Sequence, residues 1–214
     1  MLKAVIFDMD GTLCDSFPLM IRALREAVEP IVGHAVSDED FMEALGPNEK
    51  GIIVNMLGDR YDKAAASYDA LYERYLPEMC GAPFDGIREI FEFLAEKNVR
   101  TALVTGKNKT SCDATLRQFG MEKAFDAVEY GSPVGSRKKE ALGLVIDRFG
   151  IRPDEAVYIG DAPSDVTYSR EVGLLTASAL WAPSTDEEAT IAAGADVICR
   201  TPADFLRYLK ENLG

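Results

Sequence analysis

Two aspartates, Asp8 and Asp10, come directly after the short apolar run at residues 4–7. Residues two apart on an extended chain point to the same side, so the two carboxylates face one region. Ligands of open α/β sheets bind at the carboxyl ends of the strands, and Gly11 permits a sharp turn there. The spacing therefore fits a ligand-binding or catalytic site. It fits a capped strand end with two solvated acids equally well.

A hydroxyl residue and a basic segment add to this pattern. Thr105 follows an apolar run, and its hydroxyl and the N–H of Gly106 could both donate to a phosphoryl oxygen. The segment at 135–140, which precedes a predicted helix at 141–149, carries Lys138 and Lys139. A fixed ammonium there would hold a phosphate and offset a carboxylate. The alternatives are a strand-end turn and a basic surface turn.

Two more aspartates, Asp161 and Asp165, follow the apolar run at 156–159. Magnesium in proteins prefers hard oxygen ligands, usually one or two carboxylates with water and phosphate. Asp8 and Asp161 could be direct ligands, and Asp165 a direct or water-mediated one. These residues predict a magnesium site.

The charge and composition of the chain exclude several classes of binding partner and metal site. The net charge of −13 repels nucleic acid and anionic membranes, so a phosphate site needs a metal or lysines nearby. His34 is the only histidine, which excludes multi-histidine metal sites. No two cysteines have a C-x-x-C spacing, and we expect free thiols in a reducing cytosol. We expect a cytoplasmic protein with no membrane span, because no apolar stretch approaches about 20 residues.

The sequence around these residues shows two kinds of hydrophobic pattern. Short apolar runs alternate with amphipathic stretches from residue 99 onward, which predicts a parallel sheet with crossover helices. Residues 16–80 show helical periodicity and no convincing strand. We therefore predict an α/β, Rossmann-like core with helices on both faces, formed by 1–14 and 83–214. A small all-α domain, residues 15–82, follows the first strand and is called the helical insert below.

The four motifs, in this order, resemble those of the phosphatase branch of the haloacid dehalogenase superfamily. The resemblance implies that Asp8 is the nucleophile and that Asp10 is the general acid/base, with its backbone carbonyl on Mg²⁺. It assigns Thr105 to the second motif, although relatives often follow this residue with Asn or Ser instead of glycine. The third-motif lysine is Lys138, with Lys139 as the alternative, although the common Lys-Pro-x-Pro is missing.

The same resemblance implies the remaining contacts. Asp161 and Asp165 complete the metal ligands, and the helical insert corresponds to the mobile cap of the family. We expect substrate selection by the first cap helix, with Arg22 and Arg25, and by the loop at 46–50. The residues expected to contact substrate or its phosphate are Gly11, Thr12, Gly106, Lys107, Asn48 and Lys50.

These features predict a magnesium-dependent phosphatase that acts on a small phosphorylated metabolite through an aspartyl-phosphate intermediate. The enzyme would be similar to phosphoglycolate phosphatases, and we expect a monomer or homodimer. Asp10 disfavours dehalogenases and phosphonoacetaldehyde hydrolases, which lack it. Sugar phosphomutases usually have a histidine shortly after Asp15, where this chain has Phe17 and Pro18. A pyrophosphatase, a phosphomutase or a non-catalytic member of the superfamily remain alternatives. A receiver domain is much shorter and has no such insert.

Overall fold

The computed structural model describes residues 1–44 and 46–213. Six parallel strands form one sheet in the order β3-β2-β1-β4-β5-β6, the order of a doubly wound nucleotide-binding fold. The strands are β1 (Ala4–Phe7), β2 (Arg100–Val104), β3 (Ala127–Glu129), β4 (Ala156–Gly160), β5 (Leu175–Ala179) and β6 (Val197–Cys199). The predicted α/β class is confirmed.

The α-helices of the described residues fall into two sets. Four lie between β1 and α5, the helix that precedes β2, and six belong to the sheet. The first set is α1 (Phe17–Val32), α2 (Asp38–Glu43), α3 (Glu49–Leu57) and α4 (Tyr61–Met79). The second set is α5 (Ile87–Glu96), α6 (Lys109–Phe119), α7 (Lys138–Phe149), α8 (Pro163–Val172), α9 (Glu187–Ala192) and α10 (Pro202–Leu213). No helix in the described residues is both long enough and apolar enough to cross a membrane.

Both faces of the sheet are buried, because alternate side chains of a strand point to opposite faces. Val5 and Phe7 belong to one apolar cluster, which α5, α6 and α10 cover. Ala4 and Ile6 belong to a second cluster, which α7 covers. A strand buried on both faces has a continuous apolar sequence, as β1 does.

The helical insert packs through buried tyrosines and apolar residues of α1 and α4. Tyr68 and Tyr72 of α4 are completely buried, and the Tyr75 hydroxyl donates to the Glu26 carboxylate of α1 at 2.7 Å. Its apolar residues are continuous with the cluster under the sheet. The insert therefore rests on the carboxyl end of the sheet.

Two helix boundaries differ from the sequence-based expectation. α7 begins at Lys138, whereas the sequence predicted a helix from residue 141, so the third-motif lysine lies in the first helical turn. The expected loop at 46–50 ends earlier, because Asn48 caps α3 by accepting a hydrogen bond from Gly51 N at 2.9 Å. Glu49 and Lys50 therefore belong to a helix.

Candidate active site

Three adjacent strands deliver the polar residues. β1 lies between β2 and β4, and parallel strands end at the same edge of the sheet. Asp8, Thr105 and Asp161 are each the first residue after one of these strands. The topology therefore brings three of the four sequence motifs together at the edge where open α/β sheets bind ligands.

Asp8 is buried, with 6% of its surface exposed, and both of its carboxylate oxygens have donors. Met9 N donates to Oδ1 at 2.7 Å, and Lys138 Nζ donates to Oδ2 at 2.7 Å. Burial raises the pKa of Asp8, the Lys138 ammonium opposes this shift, and the nearby Asp165 carboxylate adds to it. The carboxylate is thus fixed in orientation while its charge is only partly compensated.

The two candidate lysines of the third motif have different surroundings. Lys138 is the first residue of α7, and its ammonium bridges the carboxylates of Asp8 and Asp165. Lys139 is 59% exposed and pairs with Glu171 at 2.9 Å on the surface. The structure therefore places Lys138, and not Lys139, beside the predicted nucleophile.

Three carboxylates form a potential metal site. Asp8, Asp161 and Asp165 each offer one oxygen, and these oxygens lie within 4.8 Å of one another. Burial, together with the charges of Asp165 and Asp8, raises the pKa of Asp161 to about 8. Such mutually repelling hard-oxygen groups fit a magnesium ion, which would relieve their repulsion. Asp10, the fourth residue assigned to the metal, could contribute only through its backbone carbonyl as the resemblance implies.

Glycine is required where the backbone approaches these carboxylates. Gly11 has φ of +70°, and a Cβ there would overlap the carboxylate of Asp161. A Cβ at Gly160 would overlap the carboxylate of Asp165 in the same way. Asp165 in turn accepts a hydrogen bond from Ala162 N at 3.0 Å at the start of α8, which fixes its position.

Asp10 has a different set of partners from Asp8. Its Oδ1 accepts hydrogen bonds from Lys107 Nζ at 2.9 Å and from the Ser16 hydroxyl. Its side chain is 37% exposed, whereas that of Lys107 is completely buried. Asp10 can therefore reach a bound ligand, but Lys107 reaches Asp10 rather than the Asp8 end of the site.

Glu49 is a buried acid at this site that the sequence did not single out. It is 3% exposed, and its carboxylate lies 3.3 Å from Lys107 Nζ. It also accepts hydrogen bonds from Tyr68, Asn108 and Ser111. An acid in the first turn of a helix is usually solvated and compensates the helix dipole, so its position alone does not single out Glu49.

The other predicted phosphate contacts lie close to the strand ends. Thr105 is buried, and its Oγ1 accepts a hydrogen bond from Lys107 N at 3.2 Å. Gly106 lies under the backbone carbonyl of Pro47 in the helical insert. Thr12 is buried, and its hydroxyl has no hydrogen-bond partner within the described residues. The Thr12 hydroxyl oxygen is also shielded from solvent.

The predicted selectivity residues make their contacts within the helical insert. Asn48 caps α3 through its side-chain oxygen, and its buried Nδ2 has no partner in the part of the chain that the structure describes. Lys50 Nζ pairs with Asp69 at 2.9 Å and lines a cavity of about 770 Å³ that Pro133 and Val134 also line.

The two arginines of α1 also make their contacts with other residues of the insert. Arg22 bonds Glu26 at 3.2 Å and stacks 3.8 Å from the centre of the Tyr75 ring. Arg25 donates to Val36 O at 3.0 Å and pairs with Asp38. The structure therefore does not bring Arg22 or Arg25 to Asp8 or Asp10, judged by the contacts of residues 1–44 and 46–213.

Comparison with known proteins agrees with this geometry. The chain is 29% identical over 212 residues to a phosphoglycolate phosphatase from Synechococcus elongatus, covering 98% of both chains. It is 28% identical over 219 residues to a phosphorylated carbohydrates phosphatase from Thermotoga maritima, covering 99% of this chain and 100% of that one. A crystal structure of a predicted phosphoglycolate phosphatase from Haemophilus somnus shares the fold, with a TM-score of 0.82 at 18% identity and 97% coverage of both chains.

A family comparison covers most of the sheet and the whole insert. The model of the haloacid dehalogenase-like hydrolases matches residues 5–179. This stretch includes β1 except for Ala4, all of β2 to β5, and all of the site residues described above. The chain belongs to the haloacid dehalogenase-like hydrolase family.

Proposed function

We propose that this hydrolase is a magnesium-dependent phosphatase that cleaves a small phosphomonoester through an aspartyl-phosphate intermediate on Asp8. The main support is the placement of Asp8, whose carboxylate lies 2.7 Å from Lys138 Nζ within a cluster of three carboxylates. A fixed carboxylate beside a buried ammonium and a potential metal site is suited to attack on phosphorus. The named relatives from Synechococcus and Thermotoga support the same reaction class.

In the first step, an Asp8 oxygen forms a bond to phosphorus while the bond from phosphorus to the ester oxygen breaks. Asp10 transfers its proton to the departing alkoxide, so that an alcohol leaves. Lys138 holds the nucleophile in place, and the N–H of Gly106 and the Thr105 hydroxyl donate to the phosphoryl oxygens. The product of this step is an acyl phosphate and a neutral alcohol.

In the second step, water attacks the phosphorus of the acyl phosphate and the bond to the Asp8 oxygen breaks. Asp10, now ionised, accepts the proton of the attacking water. Inorganic phosphate and the original carboxylate result, which restores the enzyme. One residue therefore acts as acid in the first step and as base in the second.

Asp8, Asp161 and Asp165 would hold the magnesium ion, together with the backbone carbonyl of Asp10. When bound, magnesium neutralises charge on the phosphoryl group and on the carboxylates around it. The net charge of −13 makes this compensation important, because the whole molecule repels an anionic substrate.

We further propose that residues 15–82 form a cap that closes over the site and selects a small substrate. The insert already contacts the strand-end turn through Glu49, and the Nδ2 of Asn48, at the start of the same helix, has no hydrogen-bond partner among the described residues. A closed cap excludes bulk water and leaves no room for a macromolecule. We also propose that the protein is cytoplasmic and that it acts as a monomer or homodimer.

The test is release of inorganic phosphate by the purified protein. The substrates are p-nitrophenyl phosphate, phosphoglycolate, sugar and nucleoside monophosphates, pyrophosphate and a phosphoprotein, each assayed with magnesium and with excess chelator. We expect magnesium-dependent turnover, with a small phosphomonoester as the best substrate. Full activity in chelator would contradict the metal requirement. A phosphoprotein as the best substrate would contradict the closed cap.

A further inference from the structure

We propose that Glu49 is a positioning residue, which holds the Lys107 ammonium against Asp10 when the helical insert is docked on the sheet. This inference rests on the proposed function, because it assigns Asp10 the proton transfer to the leaving group. Glu49 is the first residue of α3 in the insert, whereas Lys107 follows β2 of the sheet. The contact between them therefore joins the two parts of the molecule at the site.

The Lys107 ammonium has three neighbours in this structure. Its Nζ lies 2.9 Å from Asp10 Oδ1 and 3.3 Å from Glu49 Oε1, and 4.7 Å from the centre of the Tyr72 ring. Burial opposes the charged form, but Asp10 and Glu49 outweigh it and hold the pKa of Lys107 well above its ordinary value. The ammonium is thus a fixed charge and cannot turn toward solvent.

Glu49 is a firmly anchored counterion for this ammonium. Its Oε2 accepts from Asn108 N at 2.9 Å and from Asn108 Nδ2 at 3.2 Å, while its Oε1 accepts from Ser111 Oγ at 2.8 Å and from Tyr68 OH at 3.2 Å. Burial opposes ionisation of Glu49, but Lys107 and the Asn108 N–H lower the pKa of the carboxylate. A buried charge with donors on both oxygens has one defined position.

Geometry and charge together give Glu49 an effect on proton transfer. Without this carboxylate, Asp10 would be the only carboxylate in contact with the Lys107 ammonium, and the ammonium would lose one of its two anchors. An ammonium that is no longer held on both sides would leave the Asp10 carboxyl group without a fixed position, which would hinder the delivery of a proton to the leaving group. Since Glu49 is in the insert, Asp10 acquires its working arrangement only when the insert is docked.

The reactivity of two substrates separates this role from a purely structural one. An alkyl phosphate needs a proton on its departing oxygen, whereas p-nitrophenyl phosphate releases a stable anion without one. The value of kcat/KM reports phosphoryl transfer to Asp8 and not the later hydrolysis of the intermediate. We therefore measure kcat/KM for phosphoglycolate and for p-nitrophenyl phosphate with the parent and with Glu49→Gln.

We expect Glu49→Gln to lower kcat/KM for the alkyl ester by about 10-fold or more, a part of the usual contribution of a general acid. The value for the aryl ester should change by less than about threefold, since that leaving group needs no acid. Equal losses on both esters, or no loss on either, would overturn the proposal. Equal losses would also be the result if Lys107 only bound the phosphate.

The matched control is Glu155→Gln, which also neutralises a buried carboxylate. Glu155 pairs with Lys3 at 2.9 Å and accepts from Arg152 N at 3.0 Å, at the amino end of β4 and away from the site. We expect it to keep the parent values for both esters. An alkyl-selective loss in this control would show that any buried charge has the effect, which would also overturn the proposal.

A double variant keeps the test available if Glu49→Gln fails to fold. Glu49→Gln combined with Lys107→Met leaves neither charge of the Glu49–Lys107 pair unpaired. Because Asp10 then also loses its contact with Lys107, the double variant should show the same alkyl-selective loss. If the double variant keeps the parent's ratio of the two kcat/KM values, the proposal is wrong. If the parent cleaves neither ester, the proposed function itself fails, which is a different result from either of these.

Discussion

The two aspartates that we propose as catalytic, Asp8 and Asp10, differ in which parts of the fold surround them. Asp8 and Asp10 each pair with a buried lysine that also touches a second carboxylate, Asp165 for Lys138 and Glu49 for Lys107. The Asp8 partners all come from the sheet and its helices, whereas the Asp10 group includes Ser16 and Glu49 of the insert. The proposed nucleophile is therefore positioned by the sheet and its helices alone, whereas the position of the proposed acid/base depends on how the insert docks.

The largest loss of activity should come from a substitution of Asp8, which the sheet and its helices position. Asp8→Asn keeps the size of the side chain but removes the attacking oxygen, so we expect kcat to fall by more than about 10³-fold on every ester. The loss should be the same for alkyl and aryl leaving groups, unlike that of Glu49→Gln. Phosphate release by the purified variant is the measurement. Substantial turnover would contradict the assigned nucleophile.

Lys138 offers the next test, with Lys139 as a matched neighbour. Lys138→Met removes the ammonium that holds Asp8, and we expect kcat/KM to fall by about 10²- to 10³-fold on both kinds of ester. Lys139→Met removes a surface pair with Glu171, so activity should stay at the parent level. Equal activities in the two variants would show that Lys138 has no special role.

Magnesium should stabilise the folded protein, which gives a test that is independent of activity. Because the pKa of Asp161 is raised to about 8, the metal must displace a proton at pH 6 that is partly lost at pH 8. The rise in Tm on adding magnesium should therefore be larger at pH 8 than at pH 6.

Asp161→Asn should abolish that rise at both pH values. Asp154→Asn, which changes an exposed acid paired with Arg152, should keep it. Thermal unfolding with and without magnesium is the measurement. A rise in Tm that persists in Asp161→Asn would remove this residue from the metal site.

The smallest effects should come from contacts that hold the insert on α6. Tyr72→Phe keeps the ring beside Lys107 but removes the hydrogen bond of 2.9 Å to Thr115, which should lower the free energy of unfolding by about 1 kcal/mol. Arg117→Ala removes an exposed pair with Glu73, and we expect a change of less than about 0.5 kcal/mol. Denaturant unfolding of both variants measures the difference. The reverse order would contradict a docking held by buried contacts.

The sheet could be predicted well from the sequence, because strands buried on both faces have continuous apolar runs. β1, β2 and β4 lie where the runs at 4–7, 101–104 and 156–159 indicated them. Asp8, Asp161 and Thr105 could be selected for the same reason, since each directly follows such a run. The position of a residue at a strand end is a local signal that needs no knowledge of distant contacts.

The Asp10 group could be predicted only in part, because its partners are distant in sequence. Glu49 meets Asn108 across 59 residues, and the sequence around Glu49 shows only an ordinary helix start after the cap residue Asn48. Lys107 was selected as a phosphate contact, and the structure shows it paired with Asp10 and Glu49 instead. Only the docking of the insert on the sheet reveals this arrangement.

Chemical trapping tests directly whether Asp8 carries the phosphoryl group during turnover. The parent is quenched during turnover of phosphoglycolate and treated with borohydride, which reduces an aspartyl phosphate to homoserine, and the peptides are analysed by mass spectrometry. We predict conversion of the peptide at position 8 and of no other aspartate. Conversion at a different residue, or none during active turnover, would contradict the proposed mechanism.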